Sequence, residues 1–280
     1  MRKKYKQMVC TAAAAVFMSS TCLAANPDIA YKEAVQTMAV HPEGEYVILL
    51  NLKMPITSMA ISDTIDLQEK PFKVKSVVTM SSFNKTNSHF ATVYVEQDGD
   101  HLNVYSGCNQ KDKTLWNKQV HPLKNKAPLS DTFGTERSIM SGVKAVDIVG
   151  LNQYKVVFDA RRIYNDTDKA NWEKEGLSSQ QAEIAAQALQ ALQKAGDISF
   201  VVTIDPKTKR IIHVEGLLTD QVQAVANAVA SRFNGSEKAK ALVGELIGQS
   251  SMTITIDSKP LPDGISIAVP KMVRTAATGN

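Results

Sequence analysis

The sequence predicts an α+β protein in which a large curved antiparallel sheet, an unclosed half-barrel, wraps helices. Ile198, Phe200, Val202 and Ile204 recur at every second position, and beyond the turn Asp205 to Lys209 a second β-rich run covers 211–218, which is typical of a β-hairpin. About ten strand-like runs follow one another through short turns, which indicates antiparallel pairing in a sheet wide enough to curl. Helical periodicity at 219–247 interrupts the strands, so we expect helices to fill the concave side.

The N-terminus has the pattern of a secretory signal peptide. Basic residues cluster at its start, an uncharged run covers 8–18, and small residues follow to Ala24. The uncharged run is shorter than the roughly 20 residues that a membrane-spanning helix needs. We therefore expect residues 1–24 to be removed and the protein to be exported to the periplasm or the extracellular space. Lipid anchoring through Cys22 is the less favoured alternative, because Ser19 stands where a lipoprotein signal usually has an apolar residue.

The charge and length of the mature chain limit its partners. The formal charge of the whole chain is +4, and residues 1–24 hold four basic and no acidic side chains, so the mature chain is neutral. A neutral chain argues against nucleic acid as a partner. No later stretch is apolar for long enough to predict an integral membrane segment after signal removal. Residues 25–280 are sufficient for a single domain with a sizeable core, which we expect to contain a helical insert at 219–248.

The first half of the mature chain is predicted to form one helix followed by strands. Residues 27–40 carry an apolar stripe at helical spacing, with Pro27 suited to the first turn. Residues 45–54 then place apolar side chains on one face of a strand. Further strands are expected at 57–67, 72–80, 89–96, 102–105, 115–120, 143–149 and 152–164. A loop is expected at 121–135 and a short helical turn at 138–142.

The second half combines helices with the central and final strands. Ser178 and Gln181 have the spacing of a capping box ahead of a helix at 182–194, and Gly196 suits its C-terminal cap. Thr219 is the expected cap of the helical run at 219–247, which Asn234-Gly235 divides. Strands at 252–257 and 265–269 are expected to end the chain as a hairpin.

These features together resemble the bacterial lipoprotein-carrier superfamily of LolA-like and LppX-like half-barrels. The resemblance includes the signal peptide and four segments of the mature chain: the helix at 28–40, the strand Glu-Tyr-Val-Ile-Leu-Leu-Asn-Leu-Lys at 45–53, the hairpin Val-Thr-Ile-Asp-Pro-Lys-Thr-Lys-Arg-Ile at 202–211, and Ile-Ser-Ile-Ala-Val-Pro at 265–270. In that family an open barrel encloses helices, and lipid or acyl chains bind in the cavity between them. The helical insert at 219–248 departs from the family pattern.

The resemblance implies a non-enzymatic carrier or sensor whose partner is an apolar small molecule or lipid. The expected cavity lies between the concave sheet face and the helices at 178–195 and 219–248. The side chains expected to line it are Tyr46, Ile48, Leu50, Leu52, Val74, Val78, Leu189, Val222, Val229 and Phe233. The alternative is a structural or protein-interaction module of the cell envelope, in which the same residues fill a solid core. Alternation of apolar residues does not separate a filled core from a lined cavity.

The polar residues predict no catalytic group, no metal site and no cofactor. Cys108 is the one cysteine left once residues 1–24 are removed, and its spacing to His101 and His121 fits neither a zinc pattern nor a protease signature. We therefore expect Cys108 to be a half-buried structural thiol. Trp116 and Trp172 are better explained by packing than by a ligand mouth.

Overall fold

The protein forms an α+β structure dominated by one open sheet. The structure, a computed structural model, describes residues 26–82, 85–110, 113–122, 140–165, 169–174, 177–230, 236–262, 265 and 267–279. The predicted signal peptide, most of the predicted loop at 121–135 and the Asn234-Gly235 break lie outside these residues.

The described residues form helices and strands in the following order along the chain. The helices are α1 (Pro27–Val40), α2 (Ala160–Ile163), α3 (Lys169–Lys174), α4 (Ser179–Ala195), α5 (Thr219–Ala230), α6 (Glu237–Gly248) and α7 (Lys271–Ala276). The strands are β1 (Gly44–Met54), β2 (Thr57–Gln68), β3 (Lys73–Ser82), β4 (Lys85–Asp98), β5 (His101–Gln110), β6 (Lys113–Pro122), β7 (Val143–Gly150), β8 (Gln153–Phe158), β9 (Ile198–Ile204), β10 (Ile211–Leu217), β11 (Ser251–Lys259) and β12 (Thr278–Gly279).

The strands build a single curved sheet that does not close into a barrel. Their order across it is β12-β6-β5-β4-β3-β2-β1-β11-β10-β9-β8-β7. The pairs are antiparallel, except that the two-residue β12 joins the β6 edge in parallel. Strands β1 and β11 lie at the centre and pair over most of their length, from Glu45 opposite Lys259 to Lys53 opposite Ser251. The predicted fold class, an unclosed half-barrel that wraps helices, is confirmed.

The two faces of the sheet are covered by different parts of the chain. We call the face that carries Tyr46 and Ile48 the concave face, and the opposite face the convex face. Helix α1 packs on the concave face, and its Tyr31, Val35 and Met38 belong to the main hydrophobic cluster together with residues of β1 and β8–β11. These side chains are almost fully shielded from water, so α1 covers part of the concavity.

Local sequence signals account for the ends of several elements. The Ser178 hydroxyl accepts a hydrogen bond from the Gln181 backbone N–H at 3.3 Å, and the Gln181 side chain accepts one from the Ser178 N–H at 3.0 Å, which completes the predicted capping box. In the turn between β9 and β10, Asp205 accepts hydrogen bonds from the Lys207 N–H at 2.9 Å and the Thr208 hydroxyl at 2.7 Å. These bonds hold the pKa of Asp205 below its usual value, with the Thr208 bond the larger cause.

Two of the predicted strands differ from the structure, one in where it ends and one in not being a strand. Strand β8 ends at Phe158 instead of reaching residue 164, because Asp159 caps α2 by accepting a hydrogen bond from the Arg161 N–H at 2.9 Å. Within the described part of 265–269, the chain is not a strand. Both edges of β11 are already paired, with β1 and β10, so no position beside it is open to a returning strand.

The chain beyond Val269 crosses to the convex face at β4–β6. There Val269, Val273 and Ala277 pack with Tyr94, Tyr105 and Trp116. The Arg274 guanidinium donates to both carboxylate oxygens of Glu96 at 2.6 Å each, and this buried carboxylate also accepts a hydrogen bond from the Tyr105 hydroxyl at 3.3 Å. This bidentate pair fixes α7 against the sheet.

Candidate functional site

The concave face carries mostly apolar side chains across the centre of the sheet. In the register of the strands, Ile48 of β1 stands between Ile256 of β11 and Asp63 of β2, and Val78 of β3 follows Asp63. The next row of paired residues on the same face contains Ile254, Leu50, Ile61 and Met80. Directly paired residues of antiparallel strands lie on the same side of a sheet, so these rows form one continuous surface.

Burial divides this surface into a covered half and an open half. On β8–β11 most concave residues are buried, and Val202, Val214 and Ile256 are at most 2% exposed. On β1–β3 the same rows continue with half-buried side chains, and burial no longer alternates between the two faces. The open half is therefore an apolar surface that the described chain shields only in part. We define it by its half-buried residues Leu50, Leu52, Ile61, Val78 and Met80.

The predicted lining residues are distributed over both halves and over a second cluster. Tyr46 is 1% exposed and belongs to the core. Its hydroxyl donates to the Pro42 carbonyl and accepts a hydrogen bond from Arg210 Nη2 at 3.2 Å. Ile48, Leu50 and Val74 pack against the edge of the main cluster, while Leu52 and Val78 extend the surface beyond it. The sheet residues of the prediction therefore do share one face.

The predicted helix residues do not join that surface as a group. Leu189 of α4 is buried in a separate cluster with Trp172 of α3 and Ala182. Val222 of α5 is half-buried, the side chain of Val229 is outside the description, and Phe233 lies outside the described residues. Helix α5 contacts α4, α6 and β11. Its start is fixed to the sheet because the Thr219 hydroxyl accepts a hydrogen bond from the Met252 N–H of β11 at 3.2 Å.

The open half contains one polar pair that the lining prediction did not include. Asp63 lies between Ile48 and Val78, and its carboxylate accepts a hydrogen bond from the Ser76 hydroxyl at 2.7 Å. Burial raises the pKa of Asp63, and the Ser76 hydrogen bond offsets this only in part. A sequence signal for this residue exists, because the concave positions of β2 are otherwise apolar at Met59, Ile61, Ile65 and Leu67.

Cys108 and the two tryptophans do not belong to the open half of the concave face. Cys108 is exposed on β5 and forms no disulfide, so the expectation of a half-buried thiol is wrong. Trp172 is buried among helix residues and Trp116 packs with Tyr94, so the interpretation of both tryptophans as packing residues is confirmed. In the part of the chain that the structure describes, no three His, Cys, Asp or Glu side chains are grouped to hold a metal ion.

No protein-family model matches the chain, and no curated protein matches it either. None of the described helices is long and apolar enough to cross a membrane.

Proposed function

We propose that the protein is a non-enzymatic exported protein of the cell envelope that binds a hydrophobic ligand, a lipid or an acyl chain, as a carrier or sensor. The ligand lies on the open half of the concave face. The observation that carries this proposal is the change in burial along one apolar surface, from at most 2% exposure at Ile256 and Val214 to half-buried side chains on β1–β3. The signal-like N-terminus and the resemblance to lipoprotein carriers support the same function.

The energetics favour an alkyl chain as the occupant. Each methylene removed from water contributes about 0.8 kcal/mol, so about ten methylenes against the open half contribute about 8 kcal/mol before the cost of immobilisation. That cost takes several kcal/mol, and the remainder corresponds to moderate affinity. A long chain is therefore required, and short apolar molecules are expected to bind weakly.

Native mass spectrometry of the gently purified exported protein is the direct test, and a lipid-sized additional mass is the expected result. Binding of an uncharged fluorescent probe, N-phenyl-1-naphthylamine, provides a second measurement. Ile61→Gln places a polar amide on the open half and is expected to weaken probe binding about tenfold, since burying an unpaired amide costs at least 1 kcal/mol. Ser62→Gln, the adjacent residue on the convex face, is the matched control and leaves binding unchanged.

A specific observation favours the alternative of a protein-interaction module. The tip of the β7–β8 hairpin exposes three apolar side chains, Ile148 at 59%, Val149 at 51% and Leu151 at 88%. Strand β7 is also the last strand at its end of the sheet. If the protein carries no lipid-sized mass and binds no probe, the carrier function is refuted and this alternative stands.

A further inference from the structure

Asp63 is surrounded by apolar side chains on the open half of the concave face. On this face of β1, β2 and β3, eight positions surround it in the strand register, and none of them is basic. They are Tyr46, Ile48, Leu50, Ile61, Ile65, Ser76, Val78 and Met80. A carboxylate in such surroundings loses hydration without gaining a positive neighbour from the strands beside it.

Asp66, on the same strand, is a carboxylate that does have a positively charged partner. It lies on the convex face directly opposite Lys75, and the Lys75 ammonium is 3.2 Å from its carboxylate. On the concave face, the hydroxyl of Ser76 takes the corresponding role for Asp63 at 2.7 Å, and a hydroxyl carries no charge. The same strand thus holds one carboxylate with a cation and one whose hydrogen-bond partner is neutral.

We propose that Asp63 and Ser76 form a polar docking point that binds the ammonium head group of an amphiphile whose alkyl chain lies on the open half. This inference rests on the proposed function and names the class of its ligand. An ammonium group brings to Asp63 up to three N–H donors and a positive charge, which the surrounding positions of β1–β3 do not supply. A free carboxylate or phosphate head would place a like charge against it. Neighbouring strands are about 4.8 Å apart, so a chain that starts at Asp63 reaches Ile61, Leu50 and Met80 directly.

The test compares three single-chain amphiphiles of equal length on the full exported protein at neutral pH. Dodecylamine, dodecanol and dodecanoate each compete with N-phenyl-1-naphthylamine, so that only the head group differs. Dodecylamine is expected to bind about tenfold more tightly than dodecanoate, because charge-assisted hydrogen bonds are stronger than neutral ones and like charges repel. Dodecanol is expected to lie between them.

Two substitutions on β2 test whether Asp63 causes the preference for dodecylamine. Asp63→Asn keeps the size of the side chain and its acceptor for Ser76, and it is expected to bring dodecylamine and dodecanoate within about threefold of each other. Asp66→Asn removes the same charge from the convex face and is expected to preserve the preference. Circular dichroism verifies that both variants are folded, and the wild-type series tests the proposal even without Asp63→Asn.

The outcomes separate this inference from the proposed function. If none of the three compounds displaces the probe or binds, the proposed function fails. If all three bind with similar affinity, or if dodecanol binds as tightly as dodecylamine, the carrier function stands and the ammonium docking point is overturned. Persistence of the amine preference in Asp63→Asn also overturns it, because the charge then acts from elsewhere.

Discussion

The division of the concave face predicts different stability costs for the same substitution in its two halves. Ile256 lies in the covered half and is 2% exposed, whereas Ile61 lies in the open half and is half-buried. Ile256→Ala removes core methylenes and leaves a cavity, so it is expected to reduce the free energy of unfolding by about 2–5 kcal/mol. Ile61→Ala leaves no enclosed cavity and is expected to cost about 1 kcal/mol, from partial burial and lost strand packing.

Urea denaturation, monitored by circular dichroism, measures both free-energy differences, provided that the m value is the same in wild type and variants. For a chain of this length, 1 kcal/mol corresponds to about 2–4 °C in Tm, so Ile256→Ala is expected to lower Tm by roughly 4–20 °C and Ile61→Ala by only a few degrees. Equal costs at the two positions would refute the reasoning, because Ile61 would then be as well covered as Ile256.

Three further substitutions test other parts of the structure. Arg210→Met removes guanidinium hydrogen bonds to the carbonyls at positions 41 and 43, both 2.9 Å. It is expected to lower the free energy of unfolding, measured by urea denaturation, by about 2–3 kcal/mol. A decrease below about half a kcal/mol would contradict this. Gly216→Ala places a Cβ 2.5 Å from the Phe200 ring and is expected to lower the free energy of unfolding by about 1–3 kcal/mol. Gly244→Ala in α6 places a Cβ with nothing within 4 Å and is expected to raise the free energy of unfolding by up to about 1 kcal/mol. If Gly244→Ala were the less stable of the two variants, the packing at the Phe200 ring would be refuted. Because burial raises the folded-state pKa of Asp63 above its usual value, protonation of this group favours folding as the pH falls through that pKa. Asp63→Asn is therefore expected to be at least as stable as wild type at neutral pH, with an advantage that shrinks toward about pH 4; an advantage independent of pH would contradict this cause.

Features with local causes were predictable from the sequence. The capping box at Ser178, the turn at Asp205 and the helix Pro27–Val40 each depend on residues within a few positions of one another. The alternation at 45–54 also identified which side chains of β1 share a face. These interactions act over short chain distances, so the pattern of residue types is sufficient to specify them.

Features that depend on distant partners were not predictable in the same way. The apolar alternation at 265–269 has the pattern of a strand, but β1 and β10 already occupy both edges of β11, and the chain passes to the convex face. Arg274 and Glu96 are far apart in the sequence, and their pairing fixes this segment. Helices α3 and α7 are short, and the sequence pattern gave no prediction for either.

The candidate site shows the same limit. Alternation placed Ile48, Leu50 and Leu52 on one face of β1, yet it carries no information on whether a helix covers that face. Only the tertiary structure decided this, since α1 joins the cluster that buries concave residues of β8–β11 together with Tyr46 and Leu67, whereas Leu50, Leu52, Ile61, Val78 and Met80 stay half-buried. Asp63 was visible in the sequence as an acidic residue in an apolar series, but its significance depends on Ser76 and on the absence of a basic residue at the eight surrounding positions.

The sequence by itself determined the open antiparallel sheet, the first helix and the turns, because alternation, periodicity and capping are local properties of the chain. The tertiary structure alone decided which part of the concave face is covered, and that the positions of β1–β3 around the carboxylate of Asp63 carry no basic residue. Burial and charge pairing depend on which segments meet in space, and residues far apart in the sequence determine both.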